Sequence, residues 1–295
     1  MRAATAYEKR RWNKEWKTKD KLKPLSHSCL VALLSDKDRM VRDAARFHLV
    51  CRDTKAVQRD ALKLCRSEQR LLREYGALIL GELTLSESAI VEQVLTLLCQ
   101  MAVSDSGACV RAGAFFALAH RCNRGGDRSA VLKAVMTGYK DRSCSVRYAV
   151  AVVLAYINLP GAETALLSLL GDKDKDVRDW AAFAVYMHED EAKTVFDTSE
   201  IRDALLALTV DPFDDVRYEA FRALGVLREK RAAPALQREL LTNEEEVFYD
   251  LVIAAERLND PSLIPVLEKL LERFEDGEDI IKNALARLQD RPGRE

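Results

Sequence analysis

Arginines recur in this sequence at one point of a repeated pattern, and an aspartate often stands six residues before them. A guanidinium can bind a carboxylate through two charge-assisted hydrogen bonds, or it can bind a phosphate. The regular recurrence favours a structural role, in which each arginine reaches the equivalent aspartate of the adjacent repeat and holds the repeats in register. The residues expected in this role are Asp36, Arg42, Asp105, Arg111, Asp141, Arg147, Asp172, Arg178, Asp211 and Arg217.

Cysteine and histidine spacing gives little support to metal or redox chemistry. The chain has seven cysteines, and this odd number does not indicate a disulfide framework. No Cys-x-x-Cys pair occurs, so zinc ligation is not expected either. Most fall at apolar helix positions, so we expect reduced, buried thiols. His188-Glu189 is a single His-Glu pair, too few for the dinuclear site of helical-repeat hydroxylases. With no phosphate loop or nucleophile motif either, we expect no enzyme, no metal and no cofactor.

The arginine positions define a repeat with a period of about 34 residues. The frame recurs at positions 42, 73, 111, 147, 178, 217, 248 and 281, the last two without the arginine. This period is typical of solenoids, in which stacked helix pairs share one continuous core. We predict an all-α chain of about eight helix pairs, near residues 24–52, 54–84, 86–122, 127–157, 160–188, 198–228, 231–258 and 261–289.

The spacing of aspartate and arginine on two-helix units resembles the HEAT repeat, over residues 24–289. This resemblance implies a right-handed α-solenoid of HEAT-like pairs. Residues 1–23 are interpreted as a basic N-terminal helix or arm, and residues 24–295 as the solenoid. Trp12 and Trp16 lie four residues apart on one helical face, so we expect them to cap the first repeat.

Longer strings carry a closer resemblance. Residues 71–82, 108–112, 176–184 and 263–267, with the N-terminal segment 7–10, are similar to bacterial HEAT-repeat proteins encoded beside Rhs toxins and taken as their immunity proteins. The resemblance implies a cytoplasmic protein that binds one cognate toxin domain, one to one, and silences it by covering its active site. It implies no catalytic residue.

Charge is distributed unevenly along the chain, although the net charge is only −1. Residues 1–73 hold 20 Lys and Arg against 9 Asp and Glu, whereas residues 165–280 hold 14 against 28. This difference in charge between the two ends of the chain bears on which partners the protein binds and gives no information about its fold. Because many toxin domains that act on nucleic acids are basic, an acidic surface could fill such a site. No apolar run is long enough to span a bilayer and no secretory signal is present, so no membrane association is expected.

Helix periodicity nominates a partner-binding surface on the second helix of each pair. Counted from the arginine as zero, positions +1, +5 and +8 lie opposite the face that packs on the first helix. They hold aromatic, aliphatic and acidic residues, which are typical of protein interfaces, whereas a phosphate-binding groove would hold Lys and Arg. At position +5, packing between neighbouring second helices is favoured over partner binding, whereas at position +1 the two roles are equally consistent with the sequence. The candidate contacts are Glu74, Phe116, Tyr148, Asp179, Phe183, Tyr186, Tyr218, Tyr249 and Glu256.

Two other functions remain open at this point. A HEAT-like nucleic-acid-binding or DNA-repair protein is one, and the basic N-terminal arm could make such a contact. The acidic second half opposes close approach to a duplex, so nucleic acid is not the expected partner. A general protein-interaction scaffold with several partners is the other.

Overall fold

The computed structural model describes residues 15–188, 194–242, 249–273 and 278–289. These residues form helices and turns, and none of them lies in a β-strand, so the prediction of an all-α fold is confirmed. The chain divides into two compact units, Met1–Val153 and Leu154–Glu295. Trp12, expected to cap the first repeat, lies outside the described residues.

The first unit contains four helix pairs preceded by a helical segment at residues 15–22, here α1. The pairs are α2 (His27–Leu33) with α3 (Arg39–Arg52), α4 (Lys55–Leu64) with α5 (Arg70–Glu82), α6 (Ser88–Ser104) with α7 (Ala108–Asn123), and α8 (Arg128–Gly138) with α9 (Cys144–Leu154). The backbone carbonyl of Lys19 in α1 lies 2.7 Å from Nε2 of His48, which joins α1 to α3. Trp16 is 53% exposed, so about half of its surface stays in solvent.

The second unit contains four further pairs, two of which are preceded by short 3-10 turns. The pairs are α10 (Ala162–Leu170) with α11 (Lys175–Tyr186), α12 (Ser199–Leu208) with α13 (Asp214–Val226), α14 (Ala233–Thr242) with α15 (Tyr249–Leu258), and α16 (Ile264–Arg273) with α17 (Glu278–Gln289). The turns are Lys230–Ala232 before α14 and Pro261–Leu263 before α16. The second helices α11, α13 and α15 pack side by side, so their outward residues form one surface.

Aspartates close the turn between the two helices of a pair. In five pairs an aspartate carboxylate accepts a hydrogen bond of 2.8 to 3.1 Å from the backbone N–H two residues later. The five are Asp36, Asp105, Asp141, Asp172 and Asp211. This Asx turn leads the chain into the second helix. In the turn after Asp172, the carboxylate of Asp174 then caps α11 by accepting the N–H of Asp176.

Where a second helix carries the frame arginine near its start, that arginine holds the same turn. In six pairs its Nη1 donates to the backbone carbonyl six residues before it, at 2.8 to 3.0 Å. The six are Arg42, Arg73, Arg111, Arg147, Arg178 and Arg217. The planar guanidinium is thereby fixed in one orientation.

Arg73, Arg111 and Arg178 also bind the closing aspartate of the next pair. Nε and Nη2 donate to both carboxylate oxygens at 2.7 to 3.0 Å. The contacts are Arg73 with Asp105, Arg111 with Asp141, and Arg178 with Asp211. Because both partners are largely buried, each contact ties one turn to the next and is shielded from water.

At two positions the next pair offers no aspartate and another group takes its place. The next pair has Ser67 at the position where Arg42 would otherwise meet an aspartate. Nε of Arg42 donates instead to the hydroxyl of Tyr75 at 3.3 Å, and that hydroxyl donates to the carboxylate of Asp43 at 2.8 Å. Arg217 would meet Thr242, and it binds Glu239 of α14 at 2.8 to 3.2 Å. A charged or polar acceptor is thus supplied even where the repeat sequence departs from its pattern.

Replacing Tyr75 by phenylalanine tests this substitute contact. The hydroxyl is buried and bridges Arg42 and Asp43, so its loss leaves both groups short of a hydrogen bond. We expect the free energy of unfolding to fall by about 1 to 2 kcal/mol, measured by urea denaturation. Tyr139→Phe is the matched control, because that hydroxyl makes no hydrogen bond within the described residues. Equal losses in the two variants would contradict the assignment.

The cysteines depart from the expectation of uniform burial. All seven are free, and only Cys65 and Cys122 are buried, whereas Cys29, Cys51 and Cys144 are exposed. Burial raises the pKa of the Cys65 and Cys122 thiols to about 12. The prediction was wrong for the three exposed thiols because an apolar helix phase near a helix end does not guarantee a covering neighbour.

Candidate protein-binding surface

The nine residues nominated from helix periodicity all retain solvent exposure. Tyr249 is exposed, and the other eight are partly exposed. Three of them, Glu74, Phe116 and Tyr148, belong to the first unit, and six belong to the second. The sequence favours packing between repeats at position +5, and the partial exposure of Phe116 and Phe183 fits both packing and partner binding.

In the first unit, the nominated residues are engaged with neighbours. The rings of Phe116 in α7 and Tyr148 in α9 meet edge to face, with centroids 5.8 Å apart. Glu74 in α5 lies close to the thiol of Cys109, and burial raises the pKa of the Glu74 carboxyl. These residues therefore offer an aromatic edge and one partly covered carboxylate.

In the second unit, α11 carries an aromatic row along its outward side. Trp180, Phe183 and Tyr186 are spaced three residues apart, so they lie along one side of the helix. The ring centroids of Trp180 and Phe183 are 5.1 Å apart at 72°, and those of Phe183 and Tyr186 are 6.0 Å apart at 31°. The buried side of α11 includes Val177 and Ala181, which anchor the helix in the core.

Two arginines from neighbouring helices lie over the end of this row. The guanidinium carbon of Arg222 in α13 lies 3.8 Å from the Tyr186 ring centroid and 5.9 Å from that of Phe183. The guanidinium carbon of Arg257 in α15 lies 4.9 Å from the Tyr186 centroid. Such cation–π contacts hold the tyrosine ring in place, so little side-chain freedom remains to be lost on binding.

Carboxylates surround Arg222 without fully pairing with it. Glu219 accepts a hydrogen bond from Nη1 of Arg222 at 2.7 Å, and Asp250 lies 3.8 Å from its Nε. The other oxygen of Glu219, Oε2, is buried and accepts no hydrogen bond in the described part of the chain. Nε of Arg222 likewise donates none there. A buried polar atom without a hydrogen bond costs free energy.

Two of the carboxyl groups on this surface have strongly raised pKa values. Burial raises the pKa of Glu219 to about 7; Arg222 opposes the shift, and the charges of Asp179 and Asp250 add to it. Burial also raises the pKa of Asp179 to about 6, with further contributions from Asp215 and Asp176. The charges of neighbouring carboxylates thus add to the effect of burial at both groups. We call this surface the aromatic–acidic face: Asp179, Trp180, Phe183, Tyr186, Glu219, Arg222, Asp250 and Arg257.

The remaining nominated residues of the second unit have other neighbours. Tyr218 lies beside Glu239 of α14, and burial raises the pKa of its phenol to about 12. Glu256 forms an ion pair with Arg287 of α17. Tyr249 stands at the exposed start of α15. Helix periodicity thus found Asp179, Phe183 and Tyr186 of the aromatic–acidic face.

Sequence reasoning missed the other residues of this face, among them Trp180, Glu219, Arg222 and Arg257. Arg222 occupies the same helical position, +5, as Phe183 on the neighbouring α11. An arginine replacing an aromatic residue within such a row was a usable signal. Arg257 lies outside rows +1, +5 and +8, and only the packing of α15 places it over Tyr186.

The raised pKa of Glu219 predicts a pH-dependent stability. The pKa of Glu219 is about 7 in the folded protein and 4.5 in its ordinary state, so ionising this carboxyl costs free energy only when the protein is folded. The free energy of unfolding therefore falls as the pH rises from the ordinary pKa to the folded one. We therefore expect Glu219→Gln to raise the free energy of unfolding by about 1 kcal/mol near pH 8 and to leave it unchanged near pH 5. Urea denaturation at both pH values, with exposed Glu272→Gln as control, measures this. A constant difference at the two pH values would contradict it.

The histidine considered for metal chemistry is a packed residue of the second unit. His188 is buried, its Nε2 lies 3.0 Å from the backbone carbonyl of Leu154, and its ring lies against Phe196 with centroids 5.4 Å apart. Glu189, its sequence neighbour, lies outside the described residues. Among the residues with a described placement, no group of three His, Cys, Asp or Glu side chains could hold a metal ion. Nor is any helix there long and apolar enough to cross a bilayer.

Comparisons with known proteins agree with this architecture. A family model for HEAT repeats matches residues 201–288. Over 288 residues the chain is 33% identical to Protein YibA of Escherichia coli strain K12, and equally to that of Escherichia coli O157:H7, with 97% of this chain and 99% of the relative covered. The chain belongs to the YibA family. The HEAT-repeat character of this family member, expected from the Asp-x5-Arg spacing, is confirmed.

Solved structures similar to this family member include the X-ray structure of Escherichia coli YibA. That structure matches with a TM-score of 0.79 at 30% identity, over 99% of both chains. An engineered protein matches with a TM-score of 0.56 at 20% identity, over 88% of this chain and 76% of its own, which concerns the fold alone. The fold is therefore an α-solenoid, as predicted.

Proposed function

We propose that this protein binds a partner protein through the aromatic–acidic face, and that the partner is a cognate Rhs-type toxin domain whose active site it covers. The observation that carries the proposal is the aromatic row of α11, held by Arg222 and set beside the partly exposed carboxylates of Asp179 and Glu219. Aromatic anchors and an arginine at the centre of a surface are the groups that contribute most to protein–protein affinity.

The electrostatics of the face favour a basic partner surface. Asp179, Glu219 and Asp250 lie within one surface, and mutual repulsion contributes to the raised pKa values of Asp179 and Glu219. A lysine or arginine from a partner would relieve this repulsion. Toxin domains that act on nucleic acids are often basic, so an acidic face could occupy such an active site and speed association.

The identity of the partner rests on the resemblance of residues 71–82, 108–112 and 176–184 to immunity proteins encoded beside Rhs toxins. The third of these segments contains Asp179, Trp180 and Phe183, which are three of the four residues that α11 contributes to the face. A protein of this class acts by binding alone, and one complex per toxin domain suffices to inhibit it.

Calorimetry with the toxin domain encoded in the neighbouring gene tests the proposal. Full-length protein and a catalytically inactivated toxin domain should form a one-to-one complex with a Kd of about 10 nM or tighter. The active toxin should lose its activity when one equivalent of this protein is added. Absence of heat at about 10 μM of each protein would overturn the immunity role. A gel shift with duplex DNA at low salt, lost as salt rises, would favour the nucleic-acid-binding alternative.

A further inference from the structure

A cavity in the first unit has the features of a binding site and plays no part in the proposed function. Its volume is about 450 Å³, within the range of pockets that hold small molecules. It lies between the end of α5, the helix α6 and the loop that follows α7. Two arginines, Arg121 and Arg124, form one wall, and Leu85, Val91 and Leu95 form the other, with Thr84 between them.

Close packing of α5 against α7 creates this wall. A Cβ on Gly81 would lie 2.5 Å from the Cα of Ala117, so only glycine allows the two helices to approach this closely. The backbone carbonyls at the end of α5 are thereby presented to α7. Arg121 donates to the carbonyl of Gly81 from Nε at 3.0 Å and from Nη2 at 2.6 Å, and Arg124 donates to that of Glu82 at 2.6 Å.

The positive charge at this wall is poorly compensated. Arg73, Arg111 and Arg178 each meet a carboxylate, whereas Arg121 and Arg124 donate only to backbone carbonyls within the described residues. The end of a helix supplies a partial charge of roughly −0.5, which two guanidinium groups exceed. Burial lowers the pKa of Arg121 to about 10, the charge of Arg124 lowers it further, and Asp53 opposes the shift. Asp53 is engaged with the backbone N–H of Thr84 at 3.1 Å.

Donor groups remain available for a ligand. Nη1 of Arg121 makes no hydrogen bond in the described part of the chain, although the residue is only 4% exposed. Nε and Nη2 of Arg124 are equally uncommitted there. The rim beside them consists of Gly125 and Gly126, so no side chain covers the opening on that side. Among the described residues, no carboxylate side chain lines the cavity, so the only full charges at its wall are the two guanidinium groups.

We propose that this cavity binds a small organic anion, with its carboxylate or phosphate group held by Arg121 and Arg124 and its apolar part lying on Leu85, Val91 and Leu95. The two-sided lining selects for amphipathic ligands. A purely inorganic anion would leave the apolar wall uncovered, and a neutral apolar molecule would leave the guanidinium groups unpaired. The site is independent of the aromatic–acidic face, which lies in the other unit.

Titration of the full-length protein with hexanoate, hexyl phosphate and hexanol tests the proposal. We expect saturable binding of at least one of the two anions with a Kd of about 1 mM or tighter, and none of hexanol. In ¹⁵N-labelled protein the amide resonances of Gly125 and Gly126 should shift with the same Kd. Hexanoate and hexyl phosphate together distinguish a carboxylate site from a phosphate site. Failure of both anions to bind at about 10 mM, or equal binding of hexanol, would overturn the proposal.

Arg124→Ala supplies the matched variant, because Arg124 is exposed and its removal leaves Arg121 to cap α5. We expect the affinity for the bound anion to fall about tenfold. Arg59→Ala, which removes an exposed arginine of α4 outside the cavity lining, should leave the affinity unchanged. Unaltered binding by Arg124→Ala, or an equal loss in Arg59→Ala, would show that the anion does not sit at this wall.

Discussion

Asp211→Ala is expected to lower the free energy of unfolding by about 3 kcal/mol. The side chain of Asp211 is 6% exposed and that of Arg178 is 12% exposed, so the substitution leaves a buried guanidinium without its carboxylate. It also removes the acceptor for the backbone N–H of Phe213 at the start of α13. Urea denaturation followed by circular dichroism measures the change. Loss of one partner of a buried ion pair costs far more than the pair itself contributes.

Asp214→Ala is the matched control for this prediction. Asp214 lies in the same turn and pairs with Arg217, but its side chain is 68% exposed, so we expect a loss below about 1 kcal/mol. Burial alone would raise the pKa of Asp211, yet Arg178 and the N–H of Phe213 lower it below its ordinary 3.8. The contribution of Asp211 is therefore fully present at neutral pH and is lost as pH falls through that depressed pKa. Equal losses in the two variants would refute the role of Asp211 in joining the pairs.

Tyr186→Ala is expected to weaken toxin-domain binding by at least about 2 kcal/mol, which is roughly thirtyfold in Kd. The ring is held by Arg222 and Arg257, and removing it deprives both guanidinium groups of their support. Tyr186→Phe keeps the ring and should retain affinity within about threefold. Calorimetry with the inactive toxin domain measures both variants, and circular dichroism verifies that each is folded.

Phe213→Ala controls for the loss of an exposed aromatic residue. Phe213 is 44% exposed in the turn before α13 and lies outside the aromatic–acidic face, so its removal should not change the affinity. Glu219→Gln should slow association and reduce its dependence on salt, because charge complementarity acts mainly on the association rate. Wild-type affinity in both Tyr186→Ala and Glu219→Gln would place the contact on another surface.

The repeat architecture could be predicted closely from sequence because it depends on local, periodic signals. The arginine frame marked the start of the second helix in each pair from α3 to α13, and the eight predicted pairs correspond to the eight observed pairs. Closing aspartates such as Asp172 act within two residues of themselves, so their role follows from spacing alone. The burial of the cysteines could not be predicted in the same way, because the exposure of Cys51 or Cys144 depends on which residues pack beside a helix end.

The candidate site was only partly predictable. Helix phase indicated that Asp179, Phe183 and Tyr186 would point away from the core, since all three lie on α11. It could not indicate that Arg222 and Arg257, from two other helices, would both lie over the ring of Tyr186. Nor could it indicate that Glu219 would be buried beside Arg222 with one oxygen lacking a hydrogen bond.

The sequence by itself determined the helices, their pairing and the charges available to join one pair to the next, because these depend on periodicity and on contacts between residues at a fixed repeat distance. Only the tertiary structure decided which side chains from different helices meet, and with what burial. Burial sets both the pKa of Glu219 and the exposure of the Arg121 guanidinium to its cavity. It depends on how closely neighbouring helices approach, as at Gly81 against Ala117, and no single helix encodes that distance.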